Sequence, residues 1–225
     1  MPSTNAYDAF YKITDIFPVH SVGIVTARGV FRNPLEKNEN SHTIELLEQK
    51  IGFKPAPTAE QVFYYIYALL FSTGYRREYG QGFKIDLNRV AFTGDCDLFF
   101  DMAKIGERLA AIHLLKSPEL NHTFSTFTGG AGSTVSNATY DPSIRRIYID
   151  KTHYFSNITP DLWEYRLCGS RVMAKWLKSR KGQSLNAVDI EHYIKIARVL
   201  QLTIQYQEQT DRLYPAVTRW KSPLL

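Results

Sequence analysis

Cysteine, metal-ligand motifs and long apolar runs are scarce in this sequence, and each scarcity excludes a class of protein. The 225-residue chain has two cysteines, Cys96 and Cys168, which are far apart and outside any metal-binding spacing. They fit a reducing compartment, and we expect both to be buried as small hydrophobic side chains. The longest apolar run, Val62–Phe71, is too short to span a bilayer. The N-terminus lacks an apolar signal core, so we expect a cytoplasmic protein without a membrane partner.

Motifs for catalysis and cofactor binding are also missing. The six histidines form no HxH or HExxH pattern, so we expect no metal site. Gly129–Thr134 (GGAGST) resembles a phosphate loop, but it lacks the lysine and its flanks read as strands. Glu48–Lys50 (EQK) resembles part of a nuclease site, but it falls in a helical pattern. GxSxG and dinucleotide-binding motifs do not occur. We therefore expect no enzyme activity and no cofactor.

Positive charge exceeds negative charge by a small margin. The chain has 27 Lys and Arg against 22 Asp and Glu, which gives a formal net charge of +5. Such a balance favours an anionic partner without requiring one, because any strong positive potential must come from clustering.

Helical and strand-like patterns follow one another and predict an α+β fold. The helical part covers about 43–118, the β-rich part about 122–168 and the C-terminal helices about 170–212. We expect one domain over residues 1–225, with a helical section around a mixed or antiparallel β section and a long C-terminal helix. The tail from Pro215 is expected to be less ordered, because proline breaks helices.

Local signals fix the ends of several helices. Thr58 and Gln61 have the spacing of a capping box, with the following helix buried on several sides. A second helix over about 97–115 begins at one of three candidate caps, Thr93, Asp95 or Asp97.

Two-residue alternation over 145–155 (RRIYIDKTHYF) predicts strand structure. Ile147 and Ile149 share one face of this strand, and the other face carries Arg146, Tyr148 and Asp150. Asp141-Pro142-Ser143 predicts the turn that precedes it.

The segment Arg171–Gly182 (RVMAKWLKSRKG) predicts a basic amphipathic helix ended by Gly182 as the C′ residue. Arg171, Lys175 and Lys178 fall in one stripe, opposite Val172, Met173, Trp176 and Leu177. The stripe fits a nucleic-acid face. Cations in a last helical turn also favour the negative end of the helix dipole, so both interpretations stay open.

Five strings in order resemble a known family. They are FPVHSVGIVTARG, the segment from FYYIYALLF to AAIHLL, YDPSIRRIYIDKTHYF, WLKSRKGQSL and IEHY. In this order, over residues 10–210, they resemble the C-terminal target-recognition domain of type ISP restriction-modification enzymes. These are single-chain bacterial proteins with nuclease, ATPase, N6-adenine methyltransferase and recognition modules. The chain departs from the family pattern at Gly29, where TARD reads TARG, and at Cys168–Ser170, where GGY is expected.

The resemblance implies sequence-specific binding of double-stranded DNA in a restriction-modification system for DNA methylation and phage defence. It also implies a methyltransferase partner, in cis or in trans, because the catalytic modules are absent from this chain. The expected phosphate contacts are Arg28, Arg76, Arg77, Arg171, Lys175, Lys178 and Arg180. The expected base-reading residues are Thr126, Thr128, Ser133, Thr134, Asn137, Arg145, Arg146 and Lys151.

An alternative of a different class is a protein-interaction module. In that case the long C-terminal helix and the aromatic helix dock on a methyltransferase or another subunit, and DNA contact is minor. A large apolar surface patch would favour this alternative, whereas a continuous basic stripe would favour DNA.

Overall fold

A computed structural model of the protein describes residues 52–79, 91–122, 124–167 and 169–219. Helices α1 to α6 are Ala59–Phe71, Thr73–Tyr79, Cys96–His113, Pro160–Glu164, Val172–Ser179 and Ala187–Arg219. Strands β1 to β8 are Phe127–Thr128, Ser133–Thr134, Thr139–Asp141, Arg146–Tyr148, Tyr154–Phe155, Arg166–Leu167, Ser170–Arg171 and Ser184–Leu185. A short 3-10 helix covers Pro118–Asn121. Antiparallel sheets and a long C-terminal helix confirm the predicted α+β class.

The chain divides into two compact units. The first unit comprises residues 1–114 and 204–225, and the second comprises residues 115–203. Helix α6 contributes residues to both, since its 33 residues run across the second boundary.

In the first unit, helix α1 begins at the predicted capping box. The Gln61 N–H donates to Thr58 Oγ1 at 3.2 Å, and the Thr58 N–H donates to Gln61 Oε1 at 2.8 Å. The helix ends at Phe71, and Ser72 is extended before α2 begins. Burial on several sides is confirmed, because the buried residues are Val62, Tyr65, Ile66, Tyr67, Ala68 and Leu69.

Helix α3 packs against α1 in the same unit. Asp95 is the N-cap, and its carboxylate accepts the Leu98 N–H at 3.1 Å. An aromatic stack fills the contact, with Tyr65 between Phe92 and Phe99 at centroid distances of 5.3 and 4.7 Å. The core of this unit is therefore built from rings on α1 and at the start of α3.

The C-terminal half of α6 packs against α2. The Asp211 carboxylate accepts hydrogen bonds from the Ser72 hydroxyl at 2.6 Å, the Gly74 N–H at 3.0 Å and the Thr73 hydroxyl. The expectation of a less ordered tail was wrong for residues 215–219, because α6 continues through Pro215 to Arg219. Residues 220–225 lie outside the described ranges. Tyr214 and Val217 are buried on either side of Pro215, so packing offsets the hydrogen bond that proline removes.

The second unit is built on an antiparallel sheet in the order β1-β5-β4-β3. Two smaller antiparallel sheets pair β2 with β8 and β6 with β7. Ile147 and Phe155 are fully buried on the inner face of the large sheet. The Phe155 ring contacts Tyr193 of α6 at 4.4 Å, and Tyr193 contacts Trp176 of α5 at 4.8 Å. Helices α5 and α6 thus cover one face of the large sheet, and the residues of the opposite face are exposed or half-buried.

Some expectations fall outside the described residues, namely those for Arg28, Gly29, Cys168 and the helical pattern before residue 52. Cys96 is half-buried at the start of α3, so the expected full burial was wrong for this cysteine. Within the described ranges, no helix combines the length and the apolar character that crossing a bilayer requires.

Candidate nucleic-acid interface

Helix α5 carries the basic side predicted from the sequence. Met173 and Leu177 are fully buried, which directs the opposite side of the helix towards solvent. Lys175 and Lys178 lie on that side and are exposed. Neither lysine forms an ion pair with a residue that the structure describes. We call Lys175 and Lys178 the lysine pair. Its two ammonium groups, one helical turn apart, are available to an anionic ligand.

Arg171, the first member of the predicted stripe, is bound to neighbouring side chains. Its Nη1 atom donates to Glu164 Oε1 at 2.9 Å, and its guanidinium carbon lies 5.3 Å from the centre of the Trp163 ring. Arg171 occupies the N-cap position of α5, so these contacts tie the start of α5 to α4. The charge of Arg171 is therefore shared with a partner, unlike the charges of the lysine pair.

Arg180 is held at the other end of α5. Its guanidinium carbon lies 3.5 Å from the Trp176 ring centroid, and its Nε is 3.5 Å from Asp189 Oδ1. Arg180 is the C-cap residue, and Gly182 takes a φ of +79° two residues later, not at C′ as predicted. These contacts give Arg180 a structural role in joining α5 to α6.

Two of the remaining arginines lie in the first unit. Arg76 donates from Nη2 to the Phe71 carbonyl at 3.2 Å and from Nε to the Ser72 carbonyl at 3.4 Å. It therefore satisfies carbonyl groups at the end of α1. Arg77, the next residue, is exposed.

The predicted base-reading residues that follow the glycine turn differ in exposure. Ser133 is buried, and its hydroxyl donates to the Gly130 carbonyl at 2.7 Å. Thr134 is exposed, with its Oγ1 atom 3.0 Å from Ser184 Oγ in the β2–β8 pair. Asn137 is exposed beyond β2. Ser133 is thus used inside the fold, whereas Thr134 and Asn137 face solvent.

Thr126 and Thr128 lie at the first strand of the large sheet, and both are exposed. Thr126 Oγ1 is 2.6 Å from Ser156 Oγ on the neighbouring segment. Thr128 is directly opposite Tyr154 in the strand register. Because alternate residues of a strand point to opposite faces, Thr128 points away from the inner face on which Phe155 is buried, and Thr126 lies just before the strand.

The outward side of the large sheet brings together residues that sequence analysis only partly identified. The register places Thr139, Tyr148, Tyr154 and Thr128 in one row across four strands. Arg146 lies two residues before Tyr148 and shares its face. We call these five residues the outer face. Both threonines are exposed, and the tyrosines and Arg146 are half-buried.

Tyr148 and Tyr154 were not among the predicted site residues. The two-residue alternation of 145–155 placed Tyr148 on the same face as Arg146, and this was the sequence signal that could have identified Tyr148. Tyr154 joins them because the chain turns between Asp150 and Thr152, so 145–155 forms a hairpin with two short strands. Cross-strand register of this kind cannot be read from a single alternating pattern.

Arg145 and Lys151 occupy the turns at the two ends of β4. Arg145 has a left-handed φ of +54°, and Lys151 is exposed. Asp150 orders the second turn by accepting from the backbone N–H groups of Thr152 and His153, both at 2.7 Å, and from His153 Nδ1 at 2.6 Å. Although burial opposes the effect, these hydrogen bonds hold the pKa of Asp150 well below its ordinary value of 3.8.

Charge is unevenly divided between the two units. Residues 115–203 contain 12 Lys and Arg against 7 Asp and Glu, a formal net charge of +5. The first unit contains 15 of each sign and is formally neutral. The whole excess of positive charge therefore belongs to the unit that carries the lysine pair and the outer face.

Metal ligands do not cluster in the described parts of the chain, where no three His, Cys, Asp or Glu side chains could together hold an ion. A cationic unit with an outward-facing set of hydroxyl, tyrosine and arginine side chains is typical of proteins that bind nucleic acid.

Comparison with protein families assigns the chain to a defined class of specificity domain. Residues 32–213 match the family described as Type ISP C-terminal specificity domain. The chain belongs to this family, which confirms the resemblance noted from the sequence. The curated proteins include no match to the chain.

Three solved structures share similarity with the chain at 16–17% identity. The DrdV–DNA complex matches 78% of this chain and 20% of that chain, with a TM-score of 0.58. A nuclease-deletion mutant of the Type ISP restriction-modification enzyme LlaGI, in complex with a DNA substrate mimic, matches 71% of this chain and 14% of that chain, with a TM-score of 0.49. The ATP-dependent Type ISP restriction-modification enzyme LlaBIII bound to DNA matches 71% of this chain and 11% of that chain, also with a TM-score of 0.49. The chain thus spans a fifth or less of each of these proteins.

Proposed function

We propose that this chain recognises a specific sequence in double-stranded DNA as the specificity component of a restriction-modification system. The observation that carries the proposal is the location of all the excess positive charge in residues 115–203. Membership of the Type ISP specificity family supports it. DrdV, which has a similar fold, is bound to DNA in its structure.

Phosphate contact is assigned first to the lysine pair. Lys175 and Lys178 are exposed and lack ion-pair partners among the described residues, so their charge can neutralise phosphates and release counterions. Arg171 and Arg180 lie at the two ends of the same helix and contribute beside their structural contacts. Base reading is assigned to the outer face and to the turns that carry Arg145 and Lys151.

The chain supplies specificity, and catalysis belongs to other modules. Its proposed protein partner is an adenine methyltransferase, in cis or in trans, and its proposed biological setting is cytoplasmic defence against phage DNA. Both units belong to one target-recognition domain in this proposal. The neutral first unit suits a supporting role, because it adds no net attraction for phosphates.

The protein-interaction alternative receives no specific support from the described residues. A docking module would present an extended apolar patch. The large hydrophobic side chains that are exposed in the described ranges are Ile144 and Val188, which lie on separate elements.

The test is a fluorescence-anisotropy titration of the purified chain with a randomised duplex pool at two salt concentrations, followed by sequencing of the bound fraction. We expect one short motif to be enriched and affinity to fall steeply with salt. Binding that fails at both salt concentrations would reject the proposal in favour of the interaction module.

A paired variant assigns the phosphate contacts. Replacing Lys175 and Lys178 by Ala should weaken binding to all duplexes alike and reduce the salt slope by about 2. The matched control replaces Lys104 and Arg108, two exposed cations of α3 in the neutral unit. An equal loss of affinity in the control would mean that total charge matters and that the lysine pair has no special position.

A further inference from the structure

Arg146 on the outer face is held by two tyrosines. Its guanidinium carbon lies 4.1 Å from the centre of the Tyr154 ring, a distance suited to a cation–π contact. Hydrogen bonding to the Tyr148 side chain raises the pKa of the Arg146 guanidinium. The rings of Tyr148 and Tyr154 are themselves in contact, with centroids 5.2 Å apart. The three side chains form one packed group on the outward side of the sheet.

The acidic residue across the strand pair from Arg146 does not form an ion pair with its guanidinium. Asp141 stands directly opposite Arg146 in the β3–β4 register, where an ion pair would be the ordinary outcome. The Asp141 carboxylate instead accepts from the Ser143 N–H at 3.0 Å and the Ser143 hydroxyl at 2.6 Å. No ion pair links Arg146 to an acid within the described ranges. The guanidinium thus has a defined position, and it still has N–H donors to offer.

We propose that Arg146 reads a guanine in the DNA target and that Tyr148 and Tyr154 are the residues that position it. This inference rests on the proposed function and specifies the base that one side chain recognises. A guanidinium donates two parallel hydrogen bonds to O6 and N7 of guanine, a pattern that no other base offers in the major groove. A guanidinium that is already packed against a tyrosine ring loses less conformational entropy on binding than a mobile guanidinium does. Its two parallel N–H donors are therefore already oriented for the base edge.

The surroundings of Arg146 favour a base over a phosphate as its ligand. A phosphate can be bound by any nearby cation, and in the proposed function the exposed lysine pair makes that kind of contact. Arg146 shares its face of the sheet with the exposed hydroxyl groups of Thr128 and Thr139, which can donate to or accept from base edges. Rigid placement on a strand is the arrangement that base discrimination requires.

The experiment begins with the motif that the parent chain selects from a randomised duplex pool. Arg146→Lys keeps the positive charge and removes the planar guanidinium with its two parallel N–H donors. We expect it to lose about tenfold or more in preference for guanine at one position, with unchanged affinity for unrelated duplexes and an unchanged salt slope. Arg166→Lys is the matched control, since Arg166 is an exposed arginine of the same unit on β6. It should retain the parent preference.

A modified base tests the hydrogen bonds directly. Replacing the guanine by 7-deazaguanine, which lacks the N7 acceptor, should weaken binding by the parent chain several-fold. It should have a smaller effect on the Arg146→Lys variant, whose ammonium group can still donate to O6. Tyr154→Leu removes the ring and should reduce guanine preference about threefold to tenfold, while Arg146 and its charge remain. Because the base replacement is made in the DNA, it does not depend on how well any variant folds.

The outcomes separate this inference from the function on which it rests. An enriched motif without a guanine overturns the assignment of Arg146, and so does an Arg146→Lys variant with undiminished guanine preference. In both cases the chain would still be a sequence-specific DNA-binding protein. If the parent chain binds no duplex at all, the proposed function itself fails and the inference fails with it.

Discussion

Gly106 of α3 lies against the backbone carbonyl of Tyr64 in α1, so closely that a Cβ on Gly106 would be 1.8 Å from the Tyr64 oxygen. Two helices can approach to this distance only where one of them lacks a side chain. The obstacle to a larger residue is a backbone group, which cannot rotate away as a side chain could.

We expect Gly106→Ala to destabilise the protein, because the added methyl group must separate α1 from α3. The free energy of unfolding should fall by about 3 kcal/mol, at the upper end of overpacking effects. Urea unfolding followed by circular dichroism would measure it. Gly130→Ala is the control, since a Cβ there meets no atom within 4 Å. Similar losses in the two variants would contradict the close contact between the helices.

Asp211 should make the free energy of unfolding depend on pH in the acidic range. Although its partial burial opposes this, hydrogen bonds from Ser72, Thr73 and Gly74 lower the pKa of Asp211 from its ordinary value of 3.8. A lowered pKa gives stability that is complete above the unfolded-state pKa and is lost as pH falls through the folded-state pKa.

Asp211→Asn should therefore cost about 1–2 kcal/mol at neutral pH, as the loss of a capping carboxylate does. Its unfolding free energy should also fall less than that of the parent when pH drops below about 4. Glu208→Gln, an exposed change one turn earlier on α6, serves as the control. Parent-like acid sensitivity in Asp211→Asn would show that the carboxylate contributes nothing through its charge.

His113 should act over a different pH range. It is buried, its Nδ1 atom is 2.8 Å from the Tyr67 hydroxyl, and burial lowers the pKa of His113 from 6.5 to about 3. Between these values the unfolded chain takes up a proton that the folded chain refuses, so stability falls as pH drops from about 6.5 towards 3. The limiting slope is about 1.4 kcal/mol per pH unit.

His113→Gln should remove this slope, which denaturant titrations at several pH values between 4 and 7 would detect. Tyr67→Phe provides the comparison, because it deletes the hydroxyl and keeps the imidazole. We expect that variant to lose about 1 kcal/mol and to keep the slope. A slope that survives in His113→Gln would place the titrating group elsewhere.

Arg145 should show a conflict between stability and binding. Its left-handed φ of +54° is unfavourable for a long side chain and is well tolerated by asparagine. Arg145→Asn should raise the unfolding free energy by about 0.5–1 kcal/mol. If Arg145 contacts the target, the same variant should lose about threefold to tenfold in duplex affinity.

Lys151→Asn gives the matched comparison in the neighbouring turn, where the same charge is lost. Lys151 does not have a left-handed φ, so we expect no gain in stability from its replacement. Thermal unfolding and anisotropy titration of both variants would separate the two effects. An Arg145→Asn variant that becomes more stable and binds as the parent does would remove Arg145 from the base-reading set.

Sequence analysis predicted the elements whose signals lie within a few residues of one another. The capping box of Thr58 and Gln61 was confirmed, and Asp95 proved to be the correct choice among three candidate caps. Such signals are local, because a cap and its N–H partner are separated by three residues. The continuation of α6 through Pro215 was not predictable in this way, because burial of Tyr214 and Val217 decides it.

The candidate site was predictable to a similar extent. Helical periodicity identified the lysine pair, since it fixes which residues share a side of α5. The partners of Arg171 and Arg180 were not visible, because Glu164 and Asp189 lie on other elements. Tyr154 was missed because its place beside Arg146 depends on the β4–β5 register, and register follows from a turn whose position alternation does not give.

Helix α6 also constrains how this chain can exchange parts with its relatives. The boundary between the two units falls within its 33 residues, so a recombination point at Thr203 cuts a helix and not a loop. Inserting or deleting one residue there would turn all later side chains of α6 by about 100° around the helix axis relative to the earlier ones. Under the proposed function, an exchange of residues 115–203 that is designed to change target specificity must therefore preserve the helical phase at its C-terminal junction. Graft designs that keep the number of α6 residues from Ala187 through Thr203 meet this condition.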